Sequence, residues 1–137
     1  MGGLIGVATP RKDGLVSKNN SIEGMFIPSY TDTPNLATRI SSGNIFSCLI
    51  SISAANILPG LYYITKYGNK ISCLILFNYS ISQFNIKVKI DADNNIYINK
   101  RFGGEKAFIF PLYNLGTYSI TESVDTSSLE LTDVVVE

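Results

Sequence analysis

Between Ile45 and Ser53 the chain alternates with a period of two: Phe46, Cys48, Ile50 and Ile52 fall on one side, Ser47, Ser51 and Ser53 on the other. Phe84–Ile90 repeats the pattern, with Phe84, Ile86, Val88 and Ile90 opposed to Asn85, Lys87 and Lys89. Side chains of an extended strand point alternately to its two faces, whereas a helix returns to the same face every 3.6 residues. Both segments therefore predict strands with one buried face. Leu61–Tyr67 and Ile71–Phe77 flank Gly68-Asn69-Lys70, which predicts a hairpin. Ile71–Phe77 is almost continuously apolar, so it is expected either to be buried on both faces or to lie in a subunit contact.

Further strands are expected at Asn95–Lys100, with Ile96 and Ile98 on one face, and at Ala107–Leu112, Thr117–Thr121 and Leu129–Val136. Asp91–Asn95 and Gly103-Gly104 break the chain between them. Turn signals recur roughly every 8–12 residues and no long helical pattern interrupts them, which predicts an all-β antiparallel sandwich or jelly roll of about eight or nine strands. Met1–Gly24 differs: it is rich in Gly, Ser, Asn and Lys and lacks strand-like alternation. The expected organisation is a segment 1–24 followed by one β domain over 25–137.

Composition removes whole classes of function. The chain has no histidine and no tryptophan, and its 11 Lys and Arg balance its 11 Asp and Glu. Without histidine there is no Ser-His triad, no Cys-His dyad and no His-ligated metal. A neutral chain is not a dedicated polyanion binder, so no nucleic-acid partner is expected. No apolar stretch approaches the ~20 residues of a membrane helix, so no membrane insertion is expected. The run Gly2–Ala8 lacks preceding basic residues and does not read as a secretory signal, which predicts folding in a cytoplasm. Charged residues make up 16% of the chain, against roughly 25% in an ordinary soluble domain. That shortage predicts self-association, because obligate interfaces are apolar.

The charge is also unevenly placed. Seven of the 11 cations lie between Lys66 and Lys106, while Glu122, Asp125, Glu130, Asp133 and Glu137 follow with no cation among them. This is either a solvated sheet face plus an acidic final strand, or a head-to-tail electrostatic match between subunits. Cys48 and Cys73 lie in apolar stretches and are expected as buried free thiols, a bridge between neighbouring strands being the alternative.

Candidate chemistry is sparse. Asp91-Ala92-Asp93-Asn94-Asn95 superficially matches a calcium loop, but Ile96 stands where such a loop needs glycine and Phe102 where it needs glutamate. A turn stabilised by Asp and Asn side chains is the expected reading. Tyr62, Tyr63, Tyr67, Tyr79, Tyr97, Tyr113 and Tyr118 could form a sugar-stacking platform, or simply pack in core and interface. Gly103-Gly104, near Lys100, Arg101 and Lys106, lacks the ending of a phosphate loop and is expected as a plain loop. No convincing carboxylate pair marks a glycan hydrolase, and no enzyme and no cofactor are expected.

The residues Ala8-Thr9-Pro10-Arg11-Lys12-Asp13-Gly14-Leu15-Val16-Ser17-Lys18 resemble a short module of phage fibre proteins. That module runs Ala-Thr, a few polar residues, then Gly-Leu-Met/Val-Ser and a charged short helix. Here Asn19-Asn20-Ser21-Ile22-Glu23-Gly24 stands in place of the helix. The resemblance implies a structural virion protein, a short homotrimeric fibre with its N-terminus docked on the particle and its β knob exposed. A head fibre on the capsid is the first placement, and a tail-associated fibre or receptor-binding tip the second. Leu4, Ile5, Val7, Leu15 and Val16 are the expected apolar anchors, since a glycine-rich lead can order on a partner. The implied partners are two further copies, the major capsid or another virion protein, and a host surface glycan. A lectin-like binding module is the alternative. The implied location is the virion, after synthesis in a bacterial host.

Overall fold

The computed structural model describes residues 25–54, 57–78, 86–101 and 106–137. Segment 1–24, with the anchor candidates Leu4, Ile5, Val7, Leu15 and Val16, lies outside the described residues, as do Tyr79 and Gly103-Gly104.

Ten strands form: β1 (Met25–Phe26), β2 (Leu36–Ser42), β3 (Ile45–Ala54), β4 (Ile57–Tyr67), β5 (Lys70–Asn78), β6 (Ile86–Ile90), β7 (Ile96–Lys100), β8 (Lys106–Asn114), β9 (Tyr118–Asp125) and β10 (Thr132–Val134). The described residues contain no helix. All strand pairs within the sheets are antiparallel, in two five-stranded sheets ordered β1-β8-β3-β4-β5 and β10-β6-β7-β2-β9. The first is called here the meander sheet, because β3, β4 and β5 follow one another in space as in sequence; the second is the mixed-order sheet.

The expected alternation sets the inner faces. Phe46, Cys48, Ile50 and Ile52 of β3 are buried, as are Tyr62 and Ile64 of β4 and Cys73 of β5. Ile86, Val88, Ile96, Ile98 and Ile40 supply the opposite side, and all of these belong to one core cluster. Two sheets sharing one core are consistent with a β-sandwich. Burying each such side chain contributes about 1.5–3 kcal/mol, so this cluster dominates the folding energy.

The β4–β5 hairpin forms as expected, with Tyr67 opposite Lys70 and a two-residue loop, Gly68-Asn69. Gly68 takes φ of 63° at the first loop position, which a turn of type II′ reserves for glycine.

Two expectations need correction, and two alternatives left open by the sequence close. There are ten strands rather than eight or nine: β1 is only two residues long, and β2 lacks a clean alternation because its register shifts between Ala37 and Arg39. The last strand spans only Thr132–Val134: Asp125 Oδ1 accepts from the Ser127 amide at 2.9 Å and hydroxyl at 2.7 Å, which turns the chain after β9. Ile71–Phe77 is not buried on both faces: Cys73 is enclosed, but Leu74, Leu76 and Phe77 are exposed by 40%, 53% and 54%. The thiol alternative also closes. Cys48 and Cys73 both face Ile64 across β4, one from each side. Two strand spacings separate their backbones by about 10 Å, beyond disulfide reach. Both are free and buried.

Candidate functional site

The chemistry expected at individual residues resolves into structural roles. Asp91 closes the β6–β7 turn. Its Oδ1 accepts from the amides of Asp93 and Asn95, both at 2.9 Å, while Oδ2 accepts from Asn95 Nδ2 at 3.0 Å and Tyr97 Oη at 2.8 Å. Burial would raise this carboxyl, but the four hydrogen bonds outweigh it and hold it below the ordinary carboxylate range. With both oxygens engaged by its own turn, Asp91 serves the backbone rather than a cation. Among the described residues no cluster of His, Cys, Asp or Glu is arranged to hold a metal ion.

Burial pushes the Cys48 thiol up to about 12, with the neighbouring Cys73 adding to the shift, and burial alone takes Cys73 to about 12. Both remain protonated and unreactive at neutral pH. Two lysines are drawn inside: Lys100 is 1% exposed with Nζ 5.5 Å from the Phe26 ring centre, and Lys66 is 5% exposed. Burial lowers the Lys66 ammonium, and the Asp91 carboxylate opposes that shift from across the core.

One acid of the final segment meets a cation of its own chain. β10 pairs with β6, placing Asp133 opposite Lys89 with their charged groups 4.0 Å apart. Nearby, Lys87 Nζ sits 4.4 Å over the Tyr30 ring, in an open groove of about 660 Å³ that Arg101 and Val135 also line. The mixed-order sheet thus turns Lys87, Lys89, Asp133, Arg39 and Thr121 outward.

The tyrosine set divides. Tyr62 is a core residue, Tyr97 is buried on the outward side of β7 with its hydroxyl on Asp91, and Tyr118 packs its ring 5.6 Å from Phe46. Tyr63, Tyr67 and Tyr113 do come together, around a shallow groove of about 420 Å³ with Thr65 and Ser72, which Lys66 and Lys70 also line.

That groove is one end of a larger surface, the outward face of the meander sheet. The strand registers place Tyr113, Ser47, Thr65 and Ser72 in one row across β8, β3, β4 and β5. The next row holds Phe110, Leu49, Tyr63 and Leu74, and the third Phe108, Ser51, Leu61 and Phe77. Phe108 and Phe110 lie with ring centres 6.3 Å apart. Residues 45–51, 61–65, 72–77 and 108–113, which carry these rows, contain no charged residue, and Lys70, outward opposite Tyr67, stands at the end of the face beside the groove. β-Bulges next to Leu112 and Leu76 push these two further out, leaving them 54% and 53% exposed.

Of this face, sequence periodicity marked only β5. Leu49 interrupts a serine row on β3, and Phe108-Ile109-Phe110 is apolar at both parities. Those two irregularities were the available signal.

No family model, curated protein or solved structure matches this chain.

Proposed function

We propose that the chain is a structural virion protein, a short homotrimeric phage fibre whose β domain is the exposed knob and whose segment 1–24 docks on the particle. The head of the particle is the first placement, with the major capsid protein or a neighbouring virion protein as the docking partner. The observation that supports it most is the set of apolar, uncharged rows across the outward face of the meander sheet, in a chain whose sequence resembles a fibre attachment module at Ala8–Lys18. A domain with a filled core that still exposes Leu74, Leu76, Phe77, Leu112 and Tyr113 has the make-up of a subunit rather than of a solitary monomer. The chain crosses between sheets after β1, β2, β5, β7 and β8, which supports a jelly-roll-like knob. The knob carries no catalytic role in this reading.

Deleting residues 1–18 tests the anchor. The truncated chain should keep its β circular-dichroism spectrum yet fail to enter particles. Undiminished incorporation contradicts the anchor role of Leu4, Ile5, Val7, Leu15 and Val16.

The convergence of Tyr63, Tyr67 and Tyr113 on one groove favours a second reading, a receptor-binding tip or lectin-like module for host surface glycan. Aromatic rings with polar tips and flanking hydroxyls suit a half-wet sugar surface. A glycan array separates the two: specific binding that falls on Tyr113→Ala supports adhesion, and a blank array leaves the groove a packing surface.

A further inference from the structure

We infer that the outward face of the meander sheet is where copies of this chain pack on one another, with the row Phe110–Leu49–Tyr63–Leu74 at the centre of the contact. The inference rests on the oligomeric reading above and deepens it by naming the surface and its occupant.

Area, charge and edge geometry all favour a second copy. Four strands at about 4.8 Å spacing give a width of about 20 Å, and the five to seven uncharged residues on each run about 20 Å. The patch therefore projects roughly 400 Å², the size of the apolar centre of a standard interface that buries ~800 Å² per partner with its rim. The three central rows carry no charge and select an equally apolar partner surface, since a cation or carboxylate buried against them would lose its water without compensation, while Lys70 stays at the rim. Among the described residues, the meander-sheet face itself offers such a surface, whereas the mixed-order sheet sets Lys87, Lys89, Arg39 and Asp133 outward.

Strand addition at the β5 edge is blocked. Val136 forms a parallel bridge to Cys73, Glu137 donates its amide to the Cys73 carbonyl at 3.0 Å, and the Ile75 amide donates to the Glu137 carbonyl at 2.6 Å. An edge closed in this way does not extend into a continuous sheet. At the β5 edge association therefore does not proceed by strand pairing, and the apolar rows of the face are left for side chains to meet side chains.

Size-exclusion chromatography with light scattering on the full chain and three variants tests this. The wild type should run as a multiple of its 15.0 kDa mass at micromolar concentration. Leu74→Lys should weaken association at least about a hundredfold, because each contact would bury an unpaired ammonium. Ser72→Lys, at an outward position that is already polar, should do the same without burdening the fold. Thr121→Lys on the mixed-order sheet should leave the mass unchanged. Unaltered circular dichroism certifies each variant as folded.

A wild-type oligomer that survives both Leu74→Lys and Ser72→Lys overturns the face assignment and leaves the oligomeric reading standing. A wild type that stays at 15.0 kDa at high concentration overturns both. A two-chain mass dispersed by the same variants supports the face and contradicts the threefold count. Loss of the oligomer in Thr121→Lys as well overturns the specificity claimed for the meander sheet.

Discussion

Lys87, Lys89, Arg39 and Asp133 project from the mixed-order sheet at positions equivalent to those from which Leu49, Leu74 and Phe110 project on the meander sheet. The inner faces are alike, isoleucine-rich and buried to within a few per cent. The outer faces obey different rules: one is wetted by charge, the other carries leucine, phenylalanine and tyrosine in rows. Half-exposed Leu, Phe and Tyr contribute little to a single chain's stability and much to an interface, because they are still available for burial. The difference locates the shortage of charge noted in the sequence. It is concentrated on one side of the molecule.

Breaking the equivalence of inner and outer positions on one strand should give the largest effect. Ile50 and Leu49 are adjacent on β3, one in the core and one on the outward row. In a Ser72→Lys background, where chains are dissociated, Ile50→Ala should cost about 2–5 kcal/mol by urea unfolding and Leu49→Ala about 1 kcal/mol. Equal costs would mean that the outer row already belongs to the core of the single chain.

The thiols report on the inner face alone. Their pKa is raised by burial from the ordinary 9.0 to about 12. Below pH 9 both folded and unfolded thiols are protonated and their contribution is fully present. As pH rises toward 12 only the unfolded state ionises, so stability falls by up to about 1.4 kcal/mol per thiol for each pH unit. Denaturant titrations at several alkaline pH values should show this decline, and Cys48→Ala should make it shallower. An identical slope in the variant would contradict the burial assigned to Cys48.

Asp91 probes the polar sheet. Its carboxyl is held low, so its contribution is present above the ordinary carboxylate range and lost as pH falls through the depressed value. Asp91→Ala should cost about 1–2 kcal/mol at neutral pH and flatten the acid limb of the stability profile. The smallest effect belongs to the exposed Lys89–Asp133 pair: Asp133→Asn should change stability by well under 1 kcal/mol, in thermal melts at low salt.

How much of this was legible in the sequence differs between the sheets. Phe46, Cys48, Ile50 and Ile52 announced their strand and face because alternation is local. The hairpin at Gly68 and the Asp91 turn were legible for the same reason. Strand β7 was legible only on one side. Ile96 and Ile98 fit the pattern, but Tyr97 and Asn99 are buried too, since β7 is a central strand whose outward side is covered by hydrogen-bonded neighbours. The Asn99 amide reaches the Leu36 carbonyl and Tyr97 reaches Asp91. Such partners, 63 residues apart in the first case, leave no periodic trace. The apolar outward rows were hidden for a related reason. Phe110, Leu49, Tyr63 and Leu74 come from four separate segments and become one surface only when β8 inserts beside β3.

The central claim is that the meander-sheet face is covered by another copy in solution, and oxidative footprinting of the full-length protein tests it residue by residue. Leu74, Leu76, Phe77 and Tyr113 should be protected well beyond their single-chain exposures of 40–54%, while Val135, 71% exposed beside the mixed-order sheet, should react freely. Reactivity of all five in proportion to those exposures, at the concentration where the protein is used, would contradict it.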